Sequence, residues 1–446
     1  MPHFAVVGSG PSGVYTAQGL LSQDRVPGLR VDVLDRLPCP YGLVRYGVAP
    51  DHEKIKSLQS TLRAVLEEER VRFLGGVEVG PALPPERLLG LYHGVVYCVG
   101  AAAARRLGIP GEDLPGSWSA TDFVAWYSAH PDAVDAGFVR DVRAAVVIGV
   151  GNVAVDVARM LARGRAELTP TDMPQAALAT LTGSGVRDVF VVGRRGPSQA
   201  RFTTKELREL GTLPDTDVVV DERELALDPG YADPSALPSA TRRTIEVLRD
   251  WAARPGTGAG RRIHLRFFLR PVEITGRRGR VAGVRLERTR PDGDGGVRGT
   301  GGYEEIGAQL VLRSVGYRGM PPDGLPFDPV RGTVPHDAGR VLRGGRPAPG
   351  EYVAGWIKRG PTGVIGTNRS CAKETVASLL ADAPGLLGRD LDGDPLDGLR
   401  AAGLHPVDWA GWRAIERAEA ELGRTLGRDT VKIPDWHGLL SAAHGI

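Results

Sequence analysis

The sequence predicts an α/β fold built from two parallel-sheet units of similar design, and three observations lead to this prediction. A short apolar segment runs into a glycine-rich turn twice, after residues 3–7 and after residues 144–148. A segment with apolar residues at helical spacing follows each turn. The length of 446 residues suits two or three domains, and 42% hydrophobic with 24% charged residues is an ordinary globular composition.

The first unit begins with a strand that ends in the run Gly8-Ser9-Gly10-Pro11-Ser12-Gly13. A helix is predicted over residues 14–21 and a second strand over residues 29–34. That strand closes on Asp35, which lies 22 residues beyond Gly13, close to the spacing expected of a ribose-binding carboxylate. Glycines at this turn let the backbone approach a pyrophosphate, and the helix N-terminus favours its negative charge. The unit is predicted to bind a dinucleotide whose adenosine ribose carries no phosphate.

The second unit repeats this arrangement with a chemical difference. Its turn reads Gly149-Val150-Gly151-Asn152-Val153-Ala154, followed by a predicted helix over 155–161 and a later strand over 189–192. Where the first unit has an acid, this unit has Arg194 and Arg195, 40 and 41 residues after Ala154, because residues 163–187 form an insertion. An acid would repel a 2′-phosphate, whereas an arginine pair would bind it, so the unit is predicted to prefer NADP. The alternative is that these are two of the chain's 50 arginines at a strand end.

Two further strand-like segments, 94–101 and 310–317, are expected to carry the chain between the units, since Gly and Pro follow each of them. The fold is therefore predicted as two Rossmann-like dinucleotide-binding domains, the second inserted into the first. The predicted boundaries are 1–104, 105–322 and 323–446, with a helical tail at the end of the last part.

The composition excludes several classes of protein and chemistry. The three cysteines form no CxxC pair, so neither a dithiol relay nor an iron–sulfur centre within the chain is expected. No run of about 18 apolar residues predicts a membrane span. The first strand starts at residue 3, which leaves no room for a leader segment, and a cytoplasmic location is expected.

Several long blocks of sequence resemble the adrenodoxin reductase family, which includes bacterial NADPH–ferredoxin reductases. The blocks, with the first glycine turn, span residues 8 to 368 in the family's order and are GLVRYGVAPDH (42–52), GNVAVDVAR (151–159), RRGP (194–197), FTTKELREL (202–210) and GWIKRGPTGVIGTN (355–368). The resemblance implies a fold of the glutathione reductase type, with an FAD domain in two pieces and an inserted NADP domain.

The resemblance also implies the residues that contact each cofactor. Those expected at FAD, together with the glycine turn, are Gly8, Gly10, Ser12, Gly13, Asp35, Leu43, Val79, Trp356, Gly363, Val364 and Ile365. Those expected at NADP are Arg105, Gly149, Gly151, Asn152, Val153, Ala154, Val155, Arg194, Arg195, Glu206 and Gly363, with Arg106 an equally available alternative to Arg105. The family usually has Glu at the position of Asp35, and the shorter carboxylate is expected still to reach a ribose. No metal site is predicted.

The implied activity is hydride transfer from NADPH to FAD, followed by single-electron transfer to a separate ferredoxin-type iron–sulfur protein. His52, Asp156 and Glu209 are expected near the reacting atoms, where they would tune nicotinamide position or proton balance. The alternative for His52 is an incidental place beside Asp51, a helix cap. Two other functions stay open: a two-electron NADPH-dependent oxidoreductase or monooxygenase acting on a small molecule, and a nucleotide sensor without turnover.

The charge is unevenly distributed along the chain. Residues 239–290 hold 14 arginines and 4 acidic residues, a net charge of +10 in a chain whose total is +3. Such a segment could steer an acidic ferredoxin to its site, with Arg242 and Arg243 as the predicted contacts. The alternative is a solvated arginine-rich face. Nucleic acid is not an expected partner, because neither a binding motif nor an aromatic stacking set accompanies the charge.

Overall fold

The computed structural model describes residues 1–134 and 137–445. The strands, in chain order, are β1 (His3–Val7), β2 (Arg30–Asp35), β3 (Val71–Gly75), β4 (Gly94–Tyr97), β5 (Ala103–Ala104), β6 (Ser117–Ser119), β7 (Ala144–Ile148), β8 (Asp188–Val192), β9 (Thr216–Val220), β10 (Arg261–Arg266), β11 (Leu269–Arg277), β12 (Arg280–Pro291), β13 (Val297–Gly307), β14 (Leu310–Arg313), β15 (Tyr317–Arg318), β16 (His336–Asp337), β17 (Arg340–Arg343) and β18 (Arg346–Val353).

The helices, in the same order, are α1 (Pro11–Leu21), α2 (Leu43–Tyr46), α3 (Glu53–Lys56), α4 (Leu58–Leu66), α5 (Pro85–Leu91), α6 (Ala120–Tyr127), α7 (Asn152–Ala162), α8 (Arg165–Leu168), α9 (Gln175–Thr182), α10 (Thr204–Leu210), α11 (Glu222–Leu225), α12 (Pro229–Ala232), α13 (Ser239–Ala252), α14 (Trp356–Arg359), α15 (Thr367–Leu386), α16 (Pro395–Ala401), α17 (Trp409–Thr425) and α18 (Trp436–His444). None of them combines the length and hydrophobicity that a membrane-spanning helix requires.

The first and last parts of the chain share one sheet of seven strands, in the order β16-β17-β18-β4-β1-β2-β3. Strands β18, β4, β1, β2 and β3 are parallel, and β16 and β17 extend the sheet as antiparallel strands. Successive residues of β1 face opposite layers: Phe4 and Val6 pack with α1 and α15, whereas Ala5 and Val7 join a second core. Burial on both faces explains why β1 reads as a continuous apolar run.

The middle of the chain forms a second sheet of six parallel strands, in the order β6-β14-β7-β8-β10-β9. Helices α6, α7, α10 and α13 contribute to the core on one of its faces. The antiparallel sheet β11-β12-β13 covers Val146 and Ile148 on the other face. The predicted pair of dinucleotide-binding folds, one inserted into the other, is confirmed.

The two crossings between these sheets lie side by side. Strand β5 pairs with β15 through Tyr317 opposite Ala104 and Arg318 opposite Ala103. The chain thus leaves the first sheet and returns to it through a ladder of two residue pairs. The ladder follows the segment 94–101 and includes the end of the segment 310–317, the two segments predicted to carry the chain between the units; the domain limits stay a prediction.

The tail that follows the last strand is largely helical, as predicted for its end. Helix α15 continues through Pro384 to Leu386. The tail then packs beside β3, where Val407 pairs with Gly75 and the Trp409 and Phe73 rings meet edge to face at 6.2 Å. It forms an additional layer on the first sheet.

Candidate functional site between the two sheets

The three glycines of the first turn have different structural roles. Gly8 has φ +108°, and a Cβ there would lie 2.5 Å from the Cys98 carbonyl oxygen. A Cβ on Gly13 would lie 1.8 Å from the carbonyl oxygen of Gly8, so this glycine packs the helix onto the strand. A Cβ on Gly10, by contrast, would meet nothing closer than the Cα of Gly42 at 3.8 Å. The space over Gly10 and the N-terminus of α1 suits a phosphate.

The Asp35 carboxylate is fixed against this turn. Its Oδ2 accepts hydrogen bonds from Ser9 N at 2.8 Å and Ser9 Oγ at 2.5 Å, and Oδ1 accepts one from Leu37 N at 2.9 Å. Burial raises the pKa of Asp35, and the hydrogen bonds from Ser9 oppose that rise. Because Oδ2 already has two donors, Oδ1 is the oxygen with more capacity for a ribose hydroxyl.

The turn after β18 closes over the first turn. Gly355 has φ +77°, and a Cβ there would lie 2.4 Å from Ser12 Oγ. Ser12 Oγ and Trp356 Nε1 are both buried and have no hydrogen-bond partner among the described residues. Two orphaned polar atoms beside an open glycine turn fit a bound polar group such as a dinucleotide.

The other residues expected at the first nucleotide are spread around the same edge. Val79 is buried, whereas Leu43 at the start of α2 is 39% exposed and Val364 is 67% exposed. Gly363 has φ +82° and is exposed, and Ile365 is partly buried. The turn that contains Val364 is held by Arg359, which donates to the Gly360 carbonyl and to Asn368 Oδ1.

The second glycine turn is built on the same plan. Gly149 has φ +133°, and a Cβ there would lie 2.2 Å from the Ser314 carbonyl oxygen. A Cβ on Gly151 would meet nothing within 4 Å. Asn152 Oδ1 accepts a hydrogen bond from Thr203 N at 2.8 Å, which ties the start of α7 to α10. Ala154 takes the packing position of the third glycine and is fully buried, as is Val155, while Val153 is partly buried.

The arginine pair after β8 is available to a ligand. The backbone is fixed, because the Arg194 carbonyl accepts from Thr289 Oγ1 and the Arg195 carbonyl accepts from Phe268 N. The two guanidinium groups have no hydrogen-bond or ion-pair partner within residues 1–134 and 137–445, and Arg194 is exposed. They are suitable donors for a phosphate near the second turn.

The choice between Arg105 and Arg106 is narrowed by their contacts. The Arg106 guanidinium donates to both carboxylate oxygens of Asp113 at 2.6 Å and lies 3.5 Å from Glu112. Within the described residues, the exposed Arg105 side chain makes a single hydrogen bond, from Nε to the Tyr317 carbonyl at 3.2 Å. Arg105 is therefore the freer of the two to contact an anion.

A cluster of charged side chains lies between the sheets, centred on His52. His52 Nε2 is 3.0 Å from Asp156 Oδ1 and 3.1 Å from Glu206 Oε2, and His52 Nδ1 is 3.8 Å from Glu209 Oε2. His52 precedes α3, while the three carboxylates come from α7 and α10, so the cluster joins the two parts of the fold. Glu206, expected at the nucleotide, faces His52 here; a nucleotide contact for it stays a prediction.

Arg159 is the cluster residue to which sequence reasoning gave no role. It is fully buried and donates to Asp51 from Nε at 2.6 Å and to Asp156 from Nη2 at 2.8 Å. Its Nη1 lies 3.1 Å from Glu209 Oε2. Asp51 also pairs with Arg163 at 2.9 Å, so its carboxylate joins α7. The spacing of Asp156 and Arg159, three residues apart on one helix face, was the available signal.

The cluster changes the protonation of its members. Burial alone would lower the pKa of His52, but hydrogen bonds to Asp156 and Glu206 outweigh it and raise this pKa to about 9. Burial would raise the pKa of Glu206, and the contacts with His52 lower it. The carboxylates therefore favour the protonated imidazole, whereas the Arg159 guanidinium, whose Nη2 lies 2.5 Å from His52 Nε2, opposes it.

His52, Glu206 and Glu209 also offer ligand atoms within 4.8 Å of one another, a spacing that could hold a metal ion. The Arg159 guanidinium lies among them, 3.6 Å from Glu206 Oε2 and 2.5 Å from His52 Nε2. This buried positive charge disfavours a cation there, so we interpret the cluster as an ion-pair network.

The basic segment 239–290 is partly neutralised, because three of its 14 arginines pair with carboxylates outside the segment and two pair with its own acidic residues. Its arginines that contact carboxylates are Arg262 with Asp188, Arg266 with Glu224 and Glu304, Arg270 with Glu287, Arg285 with Glu273, and Arg288 with Glu304. Arg242 and Arg243 on α13 are exposed and have no carboxylate partner in the described part of the chain. Arg254, Arg277, Arg278, Arg280 and Arg290 are likewise exposed and without a carboxylate partner among the described residues, so α13 carries only part of the free positive charge.

A groove of about 690 Å³ lies between α10 and α13. Its basic lining residues are Lys205, Arg208 and Arg243, all exposed, and its apolar lining includes the buried Phe202. Glu209 also lines the groove, so its inner end reaches the His52 cluster.

Comparison with known proteins places the whole chain beside one group of enzymes, although no protein-family model matches it. It is 44% identical to the NADPH-ferredoxin reductase FprA of Mycobacterium leprae over 458 residues, which cover 99% of this chain and 98% of the relative. It is 39% identical to the mitochondrial NADPH:adrenodoxin oxidoreductase of Arabidopsis thaliana, with 99% and 95% covered.

The solved structure of Mycobacterium tuberculosis FprA in complex with NADPH matches with a TM-score of 0.93 and 44% identity, and each chain is covered completely. With identities this high over the full length, the chain belongs to the family of NADPH–ferredoxin and adrenodoxin reductases.

Proposed function

We propose that the protein is an FAD-dependent NADPH:ferredoxin oxidoreductase. The observation that carries the proposal is the pair of glycine turns with opposite chemistry beside them. The first ends at the Asp35 carboxylate and the second at the free guanidinium groups of Arg194 and Arg195. The names of the relatives, NADPH-ferredoxin reductase and NADPH:adrenodoxin oxidoreductase, support the same assignment.

The first site fits FAD. Ser12 Oγ and the amides at the start of α1 would bind the pyrophosphate, and Asp35 Oδ1 would bind the adenosine ribose. Trp356, Leu43, Val79 and residues 363–365 would surround the rest of the cofactor. FAD held by these residues would supply the capacity to accept an electron pair as hydride from NADPH and to release the electrons singly to the acceptor. Oxidation of one NADPH to NADP⁺ thus reduces two one-electron acceptors and releases a proton.

The second site fits NADPH. Its pyrophosphate would be held at the start of α7 by Gly149, Gly151 and residues 152–155. Arg105, which directly follows β5, would add a positive charge. Arg194 and Arg195 would bind the 2′-phosphate, which provides selectivity against NADH.

His52 and its carboxylate partners would orient the nicotinamide and balance charge. The protonated imidazole is held at Nε2 by Asp156 and Glu206, and Glu209 lies on its Nδ1 side. A positive group fixed in this way would keep the substrate in place and hold a proton near the reacting edge. Closed packing between the sheets would exclude water from the transfer.

The ferredoxin would dock on the groove between α10 and α13. The exposed charges of Arg208, Arg242 and Arg243 are complementary to an acidic protein, and the groove ends at the cluster where electrons would leave. Relatives named as probable ferredoxin/ferredoxin–NADP reductase are 42% identical, and this chain covers 78% of one from Mycobacterium leprae. That name combines an acceptor with a reductase, which supports a ferredoxin as partner.

Domain limits at residues 104 and 322 are part of the proposal, supported by the position of the β5–β15 ladder. A cytoplasmic location is also proposed, since NADPH and ferredoxins are available there and the three cysteines are buried and free.

The deciding experiment is reduction of cytochrome c by the purified protein with NADPH or NADH, with and without a ferredoxin. We expect a yellow protein, a clear preference for NADPH, and acceleration by ferredoxin. A preference for NADH would contradict the arginine-pair assignment. Ferredoxin that accelerates nothing, combined with NADPH consumption triggered by a small organic substrate, would favour a two-electron oxidoreductase instead.

A further inference from the structure

The segment that links α17 and α18 contacts both the inserted unit and the first unit. Its contact with the inserted unit centres on Asp172. Lys432 Nζ lies 3.1 Å from Asp172 Oδ2, and the Lys432 amide donates to the Asp172 carbonyl at 3.1 Å. The same ammonium donates to the carbonyl oxygen of Arg45 in α2, at 2.6 Å. Asp172 belongs to the inserted unit and Arg45 to the first, so this one side chain joins them.

Arg428 makes a second set of bonds to the inserted unit. Its guanidinium donates from Nε to the Thr171 carbonyl at 3.1 Å and from Nη2 to the Met173 carbonyl at 2.6 Å. The segment is itself fixed to the first unit through Glu419. Glu419 Oε1 accepts from Arg45 Nη2 at 2.6 Å and from the Ile433 amide at 2.9 Å.

A third contact lies at the start of α18. Trp436 Nε1 donates to Asp132 Oδ1 at 2.7 Å, and Arg36, next to Asp35 in the first unit, pairs with the other Asp132 oxygen. Asp132 lies between α6 and β7 of the inserted unit. The contacts at Asp132 and at residues 171–173 are therefore separate from the β5–β15 ladder.

The Asp172 contact is also connected to the His52 cluster. Lys56 Nζ lies 2.5 Å from Asp172 Oδ1, and Lys56 is the last residue of α3, the short helix that follows His52. The Lys56 amide donates to the His52 carbonyl at 3.0 Å. Asp172 thus fixes one end of the helical turn whose other end carries the imidazole.

The charges at this point are buried, which indicates a role in geometry. The Lys432 and Asp172 side chains are 2% and 13% exposed. Burial would raise the pKa of Asp172, but Lys432 and Lys56 lower it. Burial lowers the pKa of Lys432 to about 7 although Asp172 opposes that fall, so the charge of this ammonium depends on its contact with the carboxylate. A buried ion pair costs desolvation energy that apolar residues would not, and it adds directionality that they lack.

We propose that Lys432 and Arg428 are positioning residues for hydride transfer, because they hold the inserted unit at one orientation against the first unit and against α3. This inference rests on the proposed function. The β5–β15 ladder and the His52 cluster join the units near the site, and the bonds at Asp132 and at residues 171–173 add contacts at separate points that oppose rotation of the inserted unit. Misplacement of the nicotinamide by about 1 Å is enough to slow transfer by about 100-fold.

The test uses Lys432→Met and Arg428→Gln in the purified flavoprotein. Matched controls are Lys373→Met and Arg424→Gln, at exposed positions. Stopped-flow reduction by saturating NADPH measures hydride transfer, and binding of 2′,5′-ADP reports on the second nucleotide site alone. Reoxidation of the reduced protein by ferricyanide measures the reactivity of the flavin independently of the position of the inserted unit.

We expect hydride transfer to fall at least about 10-fold in Lys432→Met and Arg428→Gln and to stay within about twofold in both controls. Affinity for 2′,5′-ADP and reoxidation by ferricyanide should be unchanged. Trp436→Phe, which removes one bond and keeps most of the ring volume, should show a smaller decrease.

Wild-type hydride-transfer rates in both test variants would overturn the proposal, as would loss of bound flavin in both, since that would assign the residues to folding. Failure of the proposed function is a different result: the wild-type protein itself would not be bleached by NADPH.

Discussion

His52 Nε2 and Asp156 Oδ1 lie 3.0 Å apart, although His52 belongs to the first unit and Asp156, 104 positions later in the sequence, belongs to the inserted unit. This ion pair is made only when the two nucleotide sites face each other. The pair thus connects the candidate site with the packing of the inserted unit against the first unit.

Replacing His52 with Gln should slow hydride transfer about 10-fold, because the amide keeps a hydrogen bond but not the positive charge that orients the substrate. Single-turnover reduction by NADPH measures this rate. Asp156→Asn should have a smaller effect, since Glu206 still contacts the imidazole. An unchanged rate in His52→Gln would remove the residue from the mechanism and leave it a structural role.

The stability of the protein should carry a pH dependence that comes from His52. The pKa of its imidazole is about 9 in the folded protein, above the ordinary value of 6.5. The stabilisation is therefore fully present below pH 6.5 and is lost as the pH rises through 9. Urea unfolding at pH 6.5 and pH 9.5 should show a larger loss of stability in the wild type than in His52→Gln. Equal losses would contradict the raised pKa.

The double variant Arg194→Gln/Arg195→Gln should weaken NADPH binding by about 3 kcal/mol, because charge-assisted hydrogen bonds are worth about 1.5–3 kcal/mol each. The KM for NADH should hardly change. Steady-state kinetics with both nucleotides checks this, and an equal increase in both KM values would assign the pair to general folding.

Arg243→Glu should slow reduction of ferredoxin several-fold at low salt and flatten its dependence on ionic strength. Reduction of ferricyanide should not change. The control is Arg280→Glu, the same charge change at an exposed position of the same basic segment. If both variants slow ferredoxin reduction equally, the effect belongs to net charge and not to the groove between α10 and α13.

Two glycines of the second turn should respond differently to alanine. Gly149→Ala should cost about 2 kcal/mol or more in stability, since its φ is +133° and the Cβ would meet the Ser314 carbonyl at 2.2 Å. Gly151→Ala has open space around the Cβ and should leave stability within about 1 kcal/mol while weakening NADPH binding. Denaturant unfolding and NADPH titration of both variants measure the difference.

The local sequence was sufficient to predict those parts of the site whose functional residues all come from one short segment. The two glycine turns and the arginine pair after β8 could be recognised because strand, turn and helix follow one another directly. Arg159 could not be assigned in this way, since its partners Asp51 and Glu209 are distant in sequence and meet it only in the folded protein.

Charge patterning was only partly informative for the same reason. The count of 14 arginines in residues 239–290 could not reveal that Arg266 and Arg288 are paired with Glu304, outside that segment. Exposed Arg242 and Arg243 have no carboxylate partner among the described residues, and the same is true of Arg277, Arg278 and Arg280. Likewise, the sequence of the tail did not indicate that Lys432 would contact Asp172.

The ladder of β5 and β15 makes the inserted unit a module with adjoining entry and exit points. A cofactor-specificity graft between relatives could therefore exchange this module by joining the chain at just two neighbouring places. Bonds from Arg428, Lys432 and Trp436 add a compatibility requirement, because a transplanted module must present Asp132 and the carbonyls of Thr171 and Met173 to the host's tail. Chimeras that also exchange the tail should then transfer hydride faster than chimeras that exchange the module alone.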